Sequence, residues 1–181
     1  MQHRIVKDGP LLDELGILRE PGWATELKLQ YHRKDVKAPA IRRKEWDYYL
    51  VTNGKFGLAL TIADNGYMGL VSVRRLTFHM DRFRDGNPID GSVTLTEPPE
   101  DSMVIATPFA GHPRAFYYNQ KIVGMRASGE VTFRDRVYRF DPADSFAILD
   151  WGRGVWTYDN TWYWSGAAGE VDGKVFGFNL G

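Results

Sequence analysis

Residues 46–80, "WDYYLVTNGKFGLALTIADNGYMGLVSVRRLTFHM", alternate with a period of two and are interrupted twice by Asn-Gly, at Asn53-Gly54 and Asn65-Gly66. Period two is the mark of a strand, because successive side chains point to opposite faces. Asn-Gly readily takes the positive φ angles of a two-residue hairpin turn, so the stretch predicts three antiparallel strands. The middle strand is divided: Phe56, Leu58, Leu60, Ile62 and Asp64 share one face, while Gly57, Ala59, Thr61 and Ala63 share the other. A large-residue face backed by a small-residue face is expected where a sheet covers a core or curls tightly.

Further strands are predicted at short spacing, near 24–32, 92–96, 115–133, 137–140, 145–151, 162–169 and 174–180. Breakers separate them, among them Asp85-Gly86, Pro98-Pro99, Asp141-Pro142 and Asp172-Gly173. Helical patterns are poor: 11–20 and 98–103 offer one turn each. Many short strands with frequent turns indicate an all-β, antiparallel chain, a calycin- or lipocalin-like barrel or a strongly curved sheet; a two-sheet sandwich is the alternative. At 181 residues the chain suits one domain, 1–181.

Several function classes fall away on composition. The 23 basic and 23 acidic residues balance and are interspersed, so no footprint for nucleic acid or an anionic membrane is expected. Without cysteine there is no disulfide, thiolate catalysis, iron–sulfur cluster or cysteine-ligated zinc. His3, His32, His79 and His112 are scattered beyond metal-ligand spacing, and no glycine-rich phosphate loop, dinucleotide fingerprint or nucleophile elbow occurs. No cofactor is implied. No signal peptide or membrane-spanning run is present, which makes the cytoplasm the expected compartment. The final strand, "KVFGFNLG", stops without a polar tail, so a continuation of the protein or a partner copy is expected to cover an exposed edge or apolar patch there.

The segment "FAILDWGRGVWTYDNTWYWSG" holds the chemistry. Alternation puts Asp150 with Phe146 and Ile148 on a core side, where a lone carboxylate is costly unless paired. Gly152 can turn the chain, so Arg153 is expected to pair with Asp150, or with Asp64 at the end of its own strand. Arg153 then either locks a barrel end or forms a charged floor under an aromatic pocket. Four tryptophans within 151–164 exceed what one strand face requires. Trp156, Trp162 and Trp164, with Tyr158, are expected to line a concavity beside Arg153, Asp150 and Asp64. In "RRKEWDYY" (42–49), Trp46 and Tyr48 are expected inward and Asp47 outward, with Glu45 or Asp47 at a barrel rim as the functional alternative.

The pattern "KEWDYYLV…LTIADNGYMG…SFAILDWGRGVWTYDNTWYWSGAAGEVDGKVFGFNLG" resembles the bacterial family catalogued as domain of unknown function 2804. The resemblance runs from "GPLLDELGILREPGWA" to the last residue and implies that this chain is the N-terminal half of a protein about twice as long. More distantly the arrangement is similar to the carotenoid hydratase and AttH-like group, which pairs two lipocalin-like barrels. That analogy implies binding, or hydration, of a long apolar substrate. The functional expectation is an apolar or amphipathic ligand, lipid- or isoprenoid-like, held by tryptophan walls. The alternatives are a hydratase or lyase, acting on such a substrate or a glycan, and a structural half-domain without its own site.

Overall fold

A computed structural model describes residues 2–64 and 75–181; the second Asn-Gly pair lies outside them. Within the described residues there is no α-helix, only two short 3-10 turns, Arg33–Asp35 and Ala40–Arg42. Near the N-terminus lie β1 (Gly9–Pro10), β2 (Gly22–Ala24) and β3 (Leu29–Gln30), with β1 and β3 in a short parallel pair. The other strands are β4 (Arg43–Thr52), β5 (Gly57–Asp64), β6 (Arg75–Arg84), β7 (Asn87–Thr96) and β8 (Met103–Phe109). They are followed by β9 (His112–Phe133), β10 (Arg136–Phe140), β11 (Phe146–Val155), β12 (Ser165–Val171) and β13 (Lys174–Leu180).

The 22-residue β9 is the spine. One edge of it pairs first with β8 and then with β7; the other pairs with β11 and then with β10. β4 and β5 extend the sheet beyond β11, β6 extends it beyond β7, and β2 beyond β8. A bulge at Gly124 (φ 97°) shifts the β9–β11 register and bends the spine. The result is an all-β, strongly curved, almost wholly antiparallel sheet. Among the described residues no strand pairing closes it into a barrel.

The curl is driven by the concave face. Tyr49, Val51, Ala147 and Leu149 pack into one cluster with Leu76, Ile89 and Val93 from the far end of the sheet. The large face of β5, through Leu58, Leu60 and Ile62, packs on that same cluster, and its small face points outward. A second cluster buries Ile5, Leu11, Leu12 and Leu18 of the N-terminal segment against Val104, Phe116 and Val155.

Local expectations fare unevenly. Asn53-Gly54 does join β4 to β5, but neither residue takes a positive φ. The loop spans 53–56, and the Asn53 side chain accepts from the Lys55 and Phe56 amides. The two-residue turns with paired positive φ are Asp85-Gly86 and Asp172-Gly173, which behave as the Asn-Gly type does. β8 has no counterpart among the expected strands, and 11–20 forms no helix. The end of the chain pairs only within the β12–β13 hairpin, whose inner side rests on β9 and β11 and whose outer side exposes Val171, Phe176, Phe178 and Leu180.

Candidate functional site

β11 is buried along nearly its whole length because both of its faces are covered. Its pairing with β4 sets Asp150 opposite Tyr48, Gly152 opposite Trp46, Arg153 opposite Glu45 and Trp151 opposite Asp47. Directly opposed residues share a face. Asp150, Gly152, Trp46 and Tyr48 therefore lie on the outer face, while Trp151, Arg153, Glu45 and Asp47 lie on the concave one.

This pattern corrects the expected partners of Arg153. The strand runs straight through Gly152, so Asp150 and Arg153, three residues apart, point to opposite sides. Arg153 pairs with Asp47: Nη2 donates to Oδ1 at 2.8 Å, and Nη1 donates to the carbonyls of Trp46 and Gly152, each at 2.8 Å. The contact with the carboxylate is a single bond; the rest of the fork holds backbone. The pair is buried, with the guanidinium 4.5 Å from the centre of the Trp151 ring. The neighbouring Glu45 accepts from the Tyr31 hydroxyl and lies 3.5 Å from Arg33 Nη1. Asp47 is thus inward, and Trp46 and Tyr48 outward, the reverse of the expected arrangement. Burial, opposed by Arg153, holds the Asp47 carboxyl above its ordinary value. The backbone of Asp64 pairs with Glu45; its side chain lies outside the described residues.

The outer face carries a cavity of about 950 Å³. After Val155 the chain leaves β11 beside Arg42, whose carbonyl accepts from the Trp156 amide. It turns at 157–160 and returns across the sheet to Trp164, whose ring meets Tyr48 edge-on at 6.0 Å. The cavity is the space between this returning segment and the outer face of β4 and β5. Thr61 and Ala63, from the small face of β5, contribute to its floor. Trp46, Trp156, Trp162 and Trp164 supply aromatic wall, and Tyr158, Trp162 and Ile41 stand exposed around it.

Two glycines make the aromatic wall possible. A Cβ at Gly152 would lie within 3.0 Å of three Trp46 ring atoms, so only glycine lets that indole lie on β11. Gly154 approaches the Phe116 carbonyl too closely for a side chain. Trp46 then stacks on Tyr117 at 5.8 Å and 14°, and Trp156 packs against both. The Trp156 indole N–H is buried with no hydrogen-bond partner.

At the Trp164 end Asp150 is neutralised. Lys121 Nζ lies 2.7 Å from Asp150 Oδ2, and Asn119 donates to Asp150 Oδ1 at 2.6 Å. Lys121 also sits 4.5 Å from the Trp164 ring centre, and burial, partly offset by Asp150, lowers its pKa. Burial, helped by the negative Asp150, raises that of Tyr117. The structure thus gathers Asp150, Trp156, Tyr158, Trp162 and Trp164 around one space and sets Arg153 on the other side of β11. Sequence reading missed Lys121, Asn119 and Tyr117. The signal for the space was present in the small face of β5 and in the two glycines around Arg153.

The chain matches the family described as Domain of unknown function (DUF2804) over residues 2–79 and 71–181. It belongs to that family. No curated protein and no solved structure matches it. Among the described residues no helix is long and apolar enough to cross a membrane.

Proposed function

We propose that this family member binds an apolar or amphipathic small molecule in the outer-face cavity. The observation that carries the reading is an aromatic-walled space of about 950 Å³, at the upper end of the roughly 300–1,000 Å³ of small-molecule sites. Large apolar groups left exposed beside a concavity are what a ligand covers; Trp162 is 60% and Tyr158 is 89% exposed. Binding is preferred to hydration chemistry because Asp150, the acid that faces the cavity among the described residues, is engaged by Lys121, and Glu45 at its edge points to the concave side and is engaged by Arg33. Acid–base catalysis asks instead for a carboxylate free to exchange a proton with substrate.

Native mass spectrometry of the purified chain, followed by lipid extraction, tests the reading. A co-purified apolar molecule, released when Trp162 and Trp156 are both replaced by alanine, is the expected result. Absence of any adduct, together with tryptophan fluorescence that does not respond to long-chain amphiphiles, would overturn it.

A further inference from the structure

Both ends of the cavity carry polar groups, but at only one end do charged side chains lack a partner of opposite sign among the described residues. β4 and β11 run antiparallel along its floor, so Arg42 and Lys44 lie at the end where the chain leaves β11 for Trp156, and Tyr48 and Asp150 lie at the other. Tyr48 lies six positions beyond Arg42, about 20 Å of extended chain. The acidic groups near the cavity are compensated within the protein: Asp150 by Lys121 and Asn119, Glu45 by Tyr31 and Arg33. Arg42 and Lys44 both line the space, and neither has a carboxylate partner among the described residues. Among the described residues the local balance is therefore two positive charges without a carboxylate partner at one end of an aromatic trough. At the same end the Trp156 indole N–H lacks an acceptor, although a buried donor left unpaired costs stability.

From this we infer that the ligand is an anionic amphiphile, its head group held at Arg42 and Lys44 and its apolar body laid along β4 over Trp46 toward Tyr48 and Trp164. An anionic oxygen head supplies the negative charge that this end lacks, its oxygens accepting from the guanidinium and the ammonium. A neutral head leaves both cations unpaired, and a cationic head is repelled. The inference rests on the binding reading above and adds the sign of the head group and the ligand's direction.

Three probes of one chain length separate the possibilities: dodecanoate, dodecanol and dodecylammonium, the two ions titrated below their micellar concentrations and the alcohol below its solubility limit, each followed by tryptophan fluorescence. Dodecanoate is expected to bind about tenfold more tightly than dodecanol, a difference of about 1.4 kcal/mol. Added salt should narrow that gap. In the Arg42→Gln/Lys44→Gln double variant the anion should bind no better than the alcohol; Arg42 is exposed and Lys44 half-buried, and a thermal melt checks the fold. Equal binding of all three probes, tighter binding of dodecylammonium, or an anion preference that survives in the double variant overturns the head-group inference and leaves cavity binding standing. No binding of any probe overturns both.

Discussion

Gly152→Ala isolates the feature that shapes the cavity. The added methyl would sit within 3.0 Å of Cζ2, Cε2 and Cη2 of Trp46, closer than real Cβ atoms come. The indole cannot simply slide, because it is stacked on Tyr117 at 5.8 Å and flanked by Trp156 at 5.9 Å. Forcing atoms into a packed site costs about 1–3 kcal/mol, and each disturbed aromatic pair adds about 0.5–1.5 kcal/mol. A loss of about 2–4 kcal/mol is expected, which for a chain of this size is a fall of roughly 5–15 °C in Tm. Thermal melts followed by near-ultraviolet circular dichroism report both the stability and the aromatic packing. A double-mutant cycle with Trp46→Leu locates the cause: in that background the methyl should cost much less. A Gly152→Ala protein that melts within about 1 °C of the parent, with an unchanged aromatic spectrum, would refute the argument.

Arg153→Ala leaves Asp47 buried without its cation and should cost about 3–5 kcal/mol in urea unfolding. Arg153→Lys keeps the charge but loses the fork that spans Asp47 and two carbonyls, so it should recover only part of that loss; unchanged midpoints for both variants would exclude a structural role. Stability should also carry a pH signature from Asp47, which faces Arg153 and Glu45. Its folded pKa is raised above 3.8, so the folded state holds the proton more tightly, and the group's contribution falls as pH climbs from 3.8 through the raised value and then levels. Urea midpoints of Asp47→Asn and the parent should therefore differ by an amount that changes across this acidic window and is constant above it; a difference flat throughout would contradict the assignment.

Much of the architecture was legible because β5 and β11 carry their surroundings in their composition. The alternation of Leu58, Leu60 and Ile62 with Ala59, Thr61 and Ala63 announced two unlike faces, and the structure uses both. What alternation cannot state is which face of a strand buried on both sides meets the core and which meets another layer. Asp47 and Trp46 were exchanged for that reason: an aspartate is placed outward by default, yet Arg153, distant in sequence, makes the inward position tolerable. Gly152 was read as a turn because glycine breaks strands more often than it clears room for an indole. β8 escaped notice because its run, "MVIATPF", is broken by Thr107 and Pro108. As a partner of β9 on one side and the short β2 on the other, it needs little intrinsic preference of its own.

The pairing of β4 with β11 brings together residues 106 apart in the chain, as the Arg153–Asp47 bond shows. At a synthesis rate of about 5–20 residues per second, β4 and β5 leave the ribosome roughly 5–20 s before the strand that completes them. During that interval the edge of β4 has unpaired backbone groups, and Asp47 has no cation. The Trp46 side chain has no glycine to rest on. The nascent chain therefore carries an open, aromatic-rich hairpin that can template wrong pairings, and a chaperone that shields residues 43–64 until residue 155 has emerged should raise the yield of folded protein more than one acting on the finished chain.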